Sequence, residues 1–148
     1  ASCRIGGLVG GAEPGLLRRL ETYGLNLGLA FQIVDDLLDV SGRPDEMGKP
    51  VMTDLREGRI TLPLICALKK SDGRKRAEIL EAFADRSSNP TAVGRAHAAI
   101  LDAGALSETS ARAAEFAARA KAALDGLPKS AAAETLSRLA DFILKRSL

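Results

Sequence analysis

The sequence predicts an all-α protein, a bundle of helices without a sheet. Of its 148 residues, 46% are apolar and 3% are aromatic, which is enough apolar surface for a core but few of the residues that favour strands. Alanine and leucine dominate the apolar set, and both are good helix formers. No segment shows the alternation of apolar and polar residues that indicates a half-buried strand.

The first half of the chain is predicted to contain two helices. Residues 1–11 read as the end of a helix rich in small residues. Pro14 suits the first turn of the next helix, because its missing N–H would be unpaired there anyway. The helical pattern continues from Leu16 to about Val40 and becomes almost wholly apolar, which is typical of a helix at the centre of a bundle. Turn residues and a polar loop follow, at 41–45 and 43–59.

Five further helices are predicted in the second half, most with a recognisable start or stop. Asn89 followed by Pro90 indicates a helix cap with a first-turn proline, and Gly104 indicates a stop. Ser130 is expected near the start of the last helix. The five predicted helices cover 61 to about 68, roughly 74 to 85, 90 to 104, 107 to about 124, and 130 to the end.

Composition excludes several classes of function. The net charge of +2 is too small to indicate binding to nucleic acid or to an anionic membrane. No apolar run reaches the length of a membrane span, because the longest one is interrupted by polar residues at 32, 35, 36 and 39. No secretory signal is present in the sequence. Cys3 and Cys66 lack the spacing of metal ligands and are expected to be buried thiols in a reducing compartment, the cytoplasm.

The most informative feature is a cluster of carboxylates on the long apolar helix. Asp35 and Asp39 lie one turn apart on one face, Asp36 lies beside Asp39, and Gln32 lies one turn earlier on the same side. Carboxylates this close repel one another, and in an apolar setting they need a compensating cation. Mg²⁺ is the natural candidate, since it prefers carboxylate oxygens together with waters and phosphate oxygens. The alternative is a solvated or ion-paired acidic face.

Two cations follow on the polar loop, each directly after a glycine. Lys49 and Arg59 would complement a ligand with several negative charges, such as a diphosphate, beside a metal site. Taken singly, either residue is better explained as ordinary surface charge than as a ligand contact.

The segment from Gly24 to Pro63 resembles the second aspartate-rich region of the trans-isoprenyl diphosphate synthases, the polyprenyl synthetase family. Residues 24–39 read GLNLGLAFQIVDDLLD and resemble that motif. Gly48-Lys49-Pro50, Asp54-Leu55 and the stretch GRITLPLI at 58–65 resemble the family's downstream signature. The resemblance implies an all-α helical bundle of the isoprenoid synthase type, of which residues 1–148 would form the C-terminal part of a single domain.

The resemblance also implies roles for the acidic cluster and its neighbours. Asp35 would be a direct Mg²⁺ ligand, and Asp36 and Asp39 would act mainly through metal-bound waters. Gln32 would hold that hydration shell or the diphosphate.

For the cations, the resemblance implies that Lys49 contacts the allylic diphosphate. Arg59 stands where the family usually has lysine, so it keeps the charge but replaces a compact ammonium with a planar fork. Phe31 matches an aromatic that lines the site near the reacting carbons, and packing in the core is an equally good interpretation of this residue.

The implied reaction is the condensation of an allylic diphosphate with isopentenyl diphosphate. The family's first aspartate-rich motif and the arginine pair that follows it do not occur here. We therefore expect these residues to be inactive alone and to belong to a longer prenyltransferase, which fits a chain that opens in mid-pattern without an initiator methionine. The resemblance implies a homodimer for that longer protein.

Two other classes remain open from the sequence. A non-catalytic or regulatory subunit of a heteromeric prenyl diphosphate synthase would share the scaffold, but the intact acidic set argues against it. A terpene cyclase or a head-to-head synthase would share the scaffold and the use of Mg²⁺ and diphosphate. The pairing of Gly48-Lys49 with Gly58-Arg59 is not expected in that class.

Overall fold

The computed structural model describes residues 1–42, 51–85 and 89–146, and these residues contain helices and no strand. The predicted all-α class is confirmed. None of the helices in these ranges is long and apolar enough to cross a membrane. In chain order the helices are α1 (Ser2–Val9), α2 (Pro14–Ser41), α3 (Thr53–Arg56), α4 (Leu62–Lys70), α5 (Gly73–Ala84), α6 (Pro90–Asp102), α7 (Ala105–Ala123) and α8 (Ala131–Lys145).

The sequence signals for helix ends correspond to observed capping contacts. Pro14 is the first residue of α2. The Asn89 side chain accepts a hydrogen bond of 3.0 Å from the N–H of Thr91 in the first turn of α6. Ser130 does the same for Ala133 in α8, at 3.2 Å. Each contact satisfies an N–H that would otherwise have no partner within its helix.

Two helix boundaries differ from the sequence-based expectation. Helix α7 begins at Ala105 and not at Ser107, because Gly104, with a φ of 64°, reverses the chain within one residue and the next helix starts at once. The polar loop predicted at 43–59 contains a helix, α3, which begins after Met52 in the left-handed region with a φ of 61°.

The chain forms two compact units. The terminal unit consists of Ala1–Val34 and Arg112–Leu148, and the central unit consists of Asp35–Ala111. In the terminal unit, the fully buried Tyr23 of α2 donates a hydrogen bond of 2.8 Å to the carbonyl of Leu136 in α8. The other buried apolar residues of this unit include Ala30, Ile33, Val34, Ala113, Ala117, Ala120, Ala140 and Ile143.

The central unit has its own core, in which α5 packs against α6 and α4 packs against both. Most of its members are small, which lets the helices approach closely. The core comprises Val40, Met52, Leu55, Leu64, Cys66, Ala67, Ile79, Ala82, Ala92, Val93, Ala96, Ala99, Ile100 and Ala105. Met52 and Leu55 attach the segment around α3 to this core, and Val40 attaches the last turn of α2. Cys66 is a free buried thiol, as expected, whereas Cys3 is only partly buried.

Candidate functional site

The acidic cluster lies in the last two turns of α2, within the central unit. Asp35, Asp36 and Asp39 are half-buried, while Val34, Leu37 and Val40 on the same helix are buried. The C-terminus of a helix carries a partial negative charge, so carboxylates are unfavourable there, and α2 has no basic residue in its last turn. This end of the helix therefore needs positive partners from elsewhere.

Asp39 obtains such partners from the backbone at the start of α3. Its Oδ1 accepts the N–H of Thr53 at 3.0 Å, and its Oδ2 accepts the N–H of Asp54 at 3.1 Å. The backbone carbonyl of Asp39 accepts a third hydrogen bond, from the N–H of Met52 at 2.8 Å. Burial raises the pKa of Asp39 above its usual value, although the hydrogen bonds from Asp54 and Thr53 act in the opposite direction. No local pattern in the sequence indicates this contact, which joins residues 14 and 15 positions apart in the chain.

Arg59 is attached to the same segment. Its backbone N–H donates to the carbonyl of Asp54 at 2.8 Å, and its Nη1 donates to Oδ1 of Asp54 at 3.0 Å. Its Nη2 forms an ion pair with Glu57. The guanidinium nevertheless remains 64% exposed, whereas the Asp54 side chain is 17% exposed. Arg59 is thus connected to Asp39 of α2 through Asp54.

The space among these residues is nearly closed. A cavity lined by Asp39, Asp54, Arg59 and Thr61 has a volume of about 10 Å³, which is room for about one water molecule. A larger ligand would therefore meet the exposed outer side of the guanidinium.

His97 supports the end of α2 from α6. Its Nε2 lies 2.8 Å from the carbonyl oxygen of Val40, one of the last carbonyls of the helix.

The remaining predicted site residues lie elsewhere. Lys49 falls within 43–50, outside the described residues. Gln32 is an exposed residue of α2 in the terminal unit, and it has an interaction partner. Phe31 is 42% exposed and is not part of the core, so the core-packing interpretation of this residue is wrong.

Phe31 instead lines an apolar cavity of the terminal unit, with a volume of about 440 Å³. The guanidinium carbon of Arg146, just after α8, lies 5.1 Å from the centroid of the Phe31 ring, a cation–π distance. Sequence reasoning missed Arg146, because Arg146 and Phe31 are far apart in the chain. The cavity is lined by Ala1, Ser2, Cys3, Gly24, Leu27, Gly28, Phe31, Leu139, Phe142, Ile143 and Arg146.

The donor set of the acidic cluster fits Mg²⁺ better than it fits a metal that needs a complete protein cage. Across residues 1–42, 51–85 and 89–146, no three His, Cys, Asp or Glu side chains converge in an arrangement that could hold a metal ion. Mg²⁺ is commonly bound by one or two carboxylates, with waters and phosphate oxygens completing its shell. Asp35 and Asp36 supply carboxylates of this kind.

Comparison with known proteins gives consistent matches over nearly the whole chain. The polyprenyl synthetase family model matches residues 1–100. The chain is 38% identical to a geranylfarnesyl diphosphate synthase of Aeropyrum pernix over 99% of this chain and 45% of that protein. It is 36% identical to component 2 of a heptaprenyl diphosphate synthase of Geobacillus stearothermophilus over 99% of this chain and 44% of that protein.

Solved structures agree with these matches. A polyprenyl synthase from Caulobacter crescentus CB15, complexed with calcium and isoprenyl diphosphate, matches with a TM-score of 0.88 and 39% identity. The match covers 98% of this chain and 44% of that one. The chain thus spans a little under half the length of these relatives.

Proposed function

Since the chain belongs to the polyprenyl synthetase family, we propose that it provides a magnesium–diphosphate site of a prenyltransferase that condenses an allylic diphosphate with isopentenyl diphosphate. The observation that carries the proposal is the acidic end of α2, with an exposed Arg59 on the segment attached to it. Carboxylates beside a cation suit a ligand that combines a divalent metal with phosphate oxygens. The Caulobacter relative is complexed with calcium and isoprenyl diphosphate, which supports this class of ligand.

The proposed roles divide the residues into metal-binding and diphosphate-binding groups. Asp35 would hold Mg²⁺ directly, and Asp36 would act through metal-bound waters. When bound, Mg²⁺ would supply positive charge that stabilises the diphosphate leaving group. Gln32 would hold the hydration shell or a diphosphate oxygen.

Lys49 and Arg59 would neutralise the diphosphate from the protein side. An arginine at position 59 can donate two parallel hydrogen bonds to one phosphate group, whereas an ammonium acts as a point charge. Cations already in place near the leaving group do not have to reorganise as negative charge develops on it, which is the source of this kind of electrostatic catalysis. Phe31 would lie against the hydrocarbon part of the substrate, next to a cavity whose lining is mostly apolar.

The whole reaction needs more than the described residues provide. The chain corresponds in this proposal to the C-terminal part of the synthase domain, and the first aspartate-rich motif would come from the rest of that domain. On these grounds we propose that residues 1–148 are inactive alone and that the complete protein is a homodimer.

A second candidate is a subunit of a synthase made of two different components. It is favoured by the similarity to component 2 of a heptaprenyl diphosphate synthase. In that case the acidic cluster would still bind magnesium and diphosphate, but turnover would require the other component.

The test is a prenyl-transfer assay on the purified protein that carries this chain, with Mg²⁺, isopentenyl diphosphate and an allylic primer. We expect Asp35→Ala to lower the turnover rate at least about a hundredfold, the scale for loss of a metal or oxyanion contact. Asp102→Ala removes an exposed carboxylate whose partner is Lys75 and serves as the matched control. Equal turnover in the two variants would refute the assignment of the site.

The assay also separates the two candidates. Turnover by the purified protein alone supports a complete synthase. Turnover only after addition of an extract fraction that supplies a second polypeptide supports the two-component form. Absence of turnover and of diphosphate binding under both conditions would refute the proposed function.

A further inference from the structure

One residue joins the acidic end of α2 to the segment Met52–Arg59. Asp39 receives three backbone N–H groups of that segment, two on its carboxylate and one on its carbonyl, at 2.8 to 3.1 Å. Each of the two carboxylate oxygens accepts one of these N–H groups. The side chain is half-buried, so the contact is partly protected from competing water.

Asp54 carries the connection from Asp39 to Arg59. Its N–H is bound by the Asp39 carboxylate. Both its backbone carbonyl and its carboxylate accept hydrogen bonds from Arg59, at 2.8 and 3.0 Å. A displacement of Asp54 therefore displaces the guanidinium, and the Asp39 carboxylate fixes the N–H of Asp54 on a segment that Met52 and Leu55 anchor in the core.

We propose that Asp39 is a positioning residue, which orients Arg59 toward a diphosphate through Asp54 and does not itself hold the metal ion. This inference rests on the proposed function, and it separates the third aspartate of the cluster from Asp35 and Asp36. Each oxygen of the Asp39 carboxylate already accepts one backbone N–H, which uses two of its roughly four lone-pair positions. Metal coordination at the same oxygens would weaken these hydrogen bonds and loosen the segment.

Restricting the Arg59 side chain before a ligand binds reduces the entropy that it loses on binding. The side chain is long and mostly exposed, so in the absence of partners it would lose considerable rotamer freedom on binding a ligand. The pairs with Asp54 and Glu57 restrict it beforehand. A guanidinium has five N–H donors, so these two pairs leave donors for phosphate oxygens on the exposed side.

The test measures binding of inorganic diphosphate in the presence of Mg²⁺ by calorimetry, on the purified protein that carries this chain. We expect Asp39→Ala to weaken diphosphate binding about tenfold, within the range of couplings between residues of one network. Asp39→Asn should weaken it only about threefold, because the amide oxygen still accepts an N–H. A metal ligand would behave differently, since the neutral amide replaces the carboxylate poorly in that role.

A double-mutant cycle with Arg59→Gln distinguishes positioning from a general loss of structure. If Asp39 acts through Arg59, Asp39→Ala causes no further loss of diphosphate affinity once Arg59 is replaced. Circular dichroism and thermal unfolding check that each variant is folded, and Asp39→Asn takes the place of Asp39→Ala in the cycle if the alanine variant does not fold. Asp102→Ala is again the surface control.

The dependence of diphosphate binding on Mg²⁺ concentration provides an independent measurement. We expect Asp35→Ala to raise the Mg²⁺ concentration needed for half-maximal binding, and Asp39→Asn to leave it unchanged within about twofold. Additive losses in the cycle, or a Mg²⁺ dependence in Asp39→Asn that shifts as in Asp35→Ala, would overturn the positioning role alone. Absence of Mg²⁺-dependent diphosphate binding by the unaltered protein would instead refute the proposed function.

Discussion

Tyr23 provides a direct test of how the terminal unit is held together. It is the single tyrosine of a chain without tryptophan, it is fully buried, and its hydroxyl donates to the carbonyl of Leu136 at 2.8 Å. Burial, with a smaller contribution from the charge of Cys3, raises the pKa of Tyr23 from 10.0 to about 12. We expect Tyr23→Phe to lower the free energy of unfolding by about 1 kcal/mol at neutral pH, the typical net value of one hydrogen bond.

The sign of the pH dependence follows from the raised pKa. The folded state binds the phenolic proton more tightly than the unfolded state, so this stabilisation is complete below pH 10 and is lost as the pH rises to about 12. The shift corresponds to roughly 3 kcal/mol at most, and we expect a measured loss of about 1 to 2 kcal/mol. Tyr23→Phe has no phenolic proton and lacks this pH-dependent contribution. The difference in the free energy of unfolding between the two proteins should therefore shrink or reverse at high pH.

The assay combines denaturant unfolding across this pH range with the near-ultraviolet absorbance of the phenolate, which comes from Tyr23 alone. Groups other than Tyr23 titrate equally in both proteins and cancel in the difference. Cys3→Ser is the control for the smaller electrostatic contribution and should lower the Tyr23 pKa slightly. A phenolate titration near pH 10 in the folded protein, or a stability difference that does not change with pH, would refute the reasoning.

Three other substitutions test the helix ends. Asn89→Ala removes the cap of α6 and should lower the free energy of unfolding by about 1 kcal/mol, measured by denaturant unfolding. Gly104→Ala should lower the free energy of unfolding by about 1 kcal/mol in the same measurement. The φ of 64° is unfavourable for a residue with a Cβ, although no neighbouring atom would obstruct the added Cβ. An unchanged stability would contradict the role assigned to this glycine. Ser41→Lys places a cation at the exposed end of α2 and should raise the free energy of unfolding by about 0.3 to 1 kcal/mol. The same substitution should weaken Mg²⁺-dependent diphosphate binding. A stability gain without a loss of binding would show that the added ammonium does not compete for the carboxylates.

The fold was largely predictable because its helix ends are marked by local chemistry. Pro14, Asn89, Gly104 and Ser130 act within a few residues of the boundary that they set, so their effect is readable from a short stretch of sequence. Helix α3 was missed because its start depends on hydrogen bonds that its backbone N–H groups donate to Asp39, a residue on another helix. A helix of only four residues has no apolar periodicity that could have indicated it.

The candidate site was predictable only in part, for the same reason. The acidic cluster lies within one helix, and helical geometry places its members together without knowledge of the fold. The contact of Asp39 with Thr53 and Asp54 and that of Arg146 with Phe31 depend on how distant segments pack. No rule of local sequence specifies such pairs, because the chain between the two partners can take many paths.

The end of α2 shows how this chain stabilises carboxylates in an unfavourable position. An exposed lysine or arginine in the last turn would be the simplest partner for the negative helix end, yet that turn has none. Instead, backbone N–H groups of α3 bind the Asp39 carboxylate, and the ring of His97 lies at the carbonyl of Val40. Neither the backbone N–H groups nor the His97 ring is a lysine or arginine side chain. Backbone N–H groups therefore stabilise the Asp39 carboxylate at the negative end of the helix without a charged side chain in the last turn of α2.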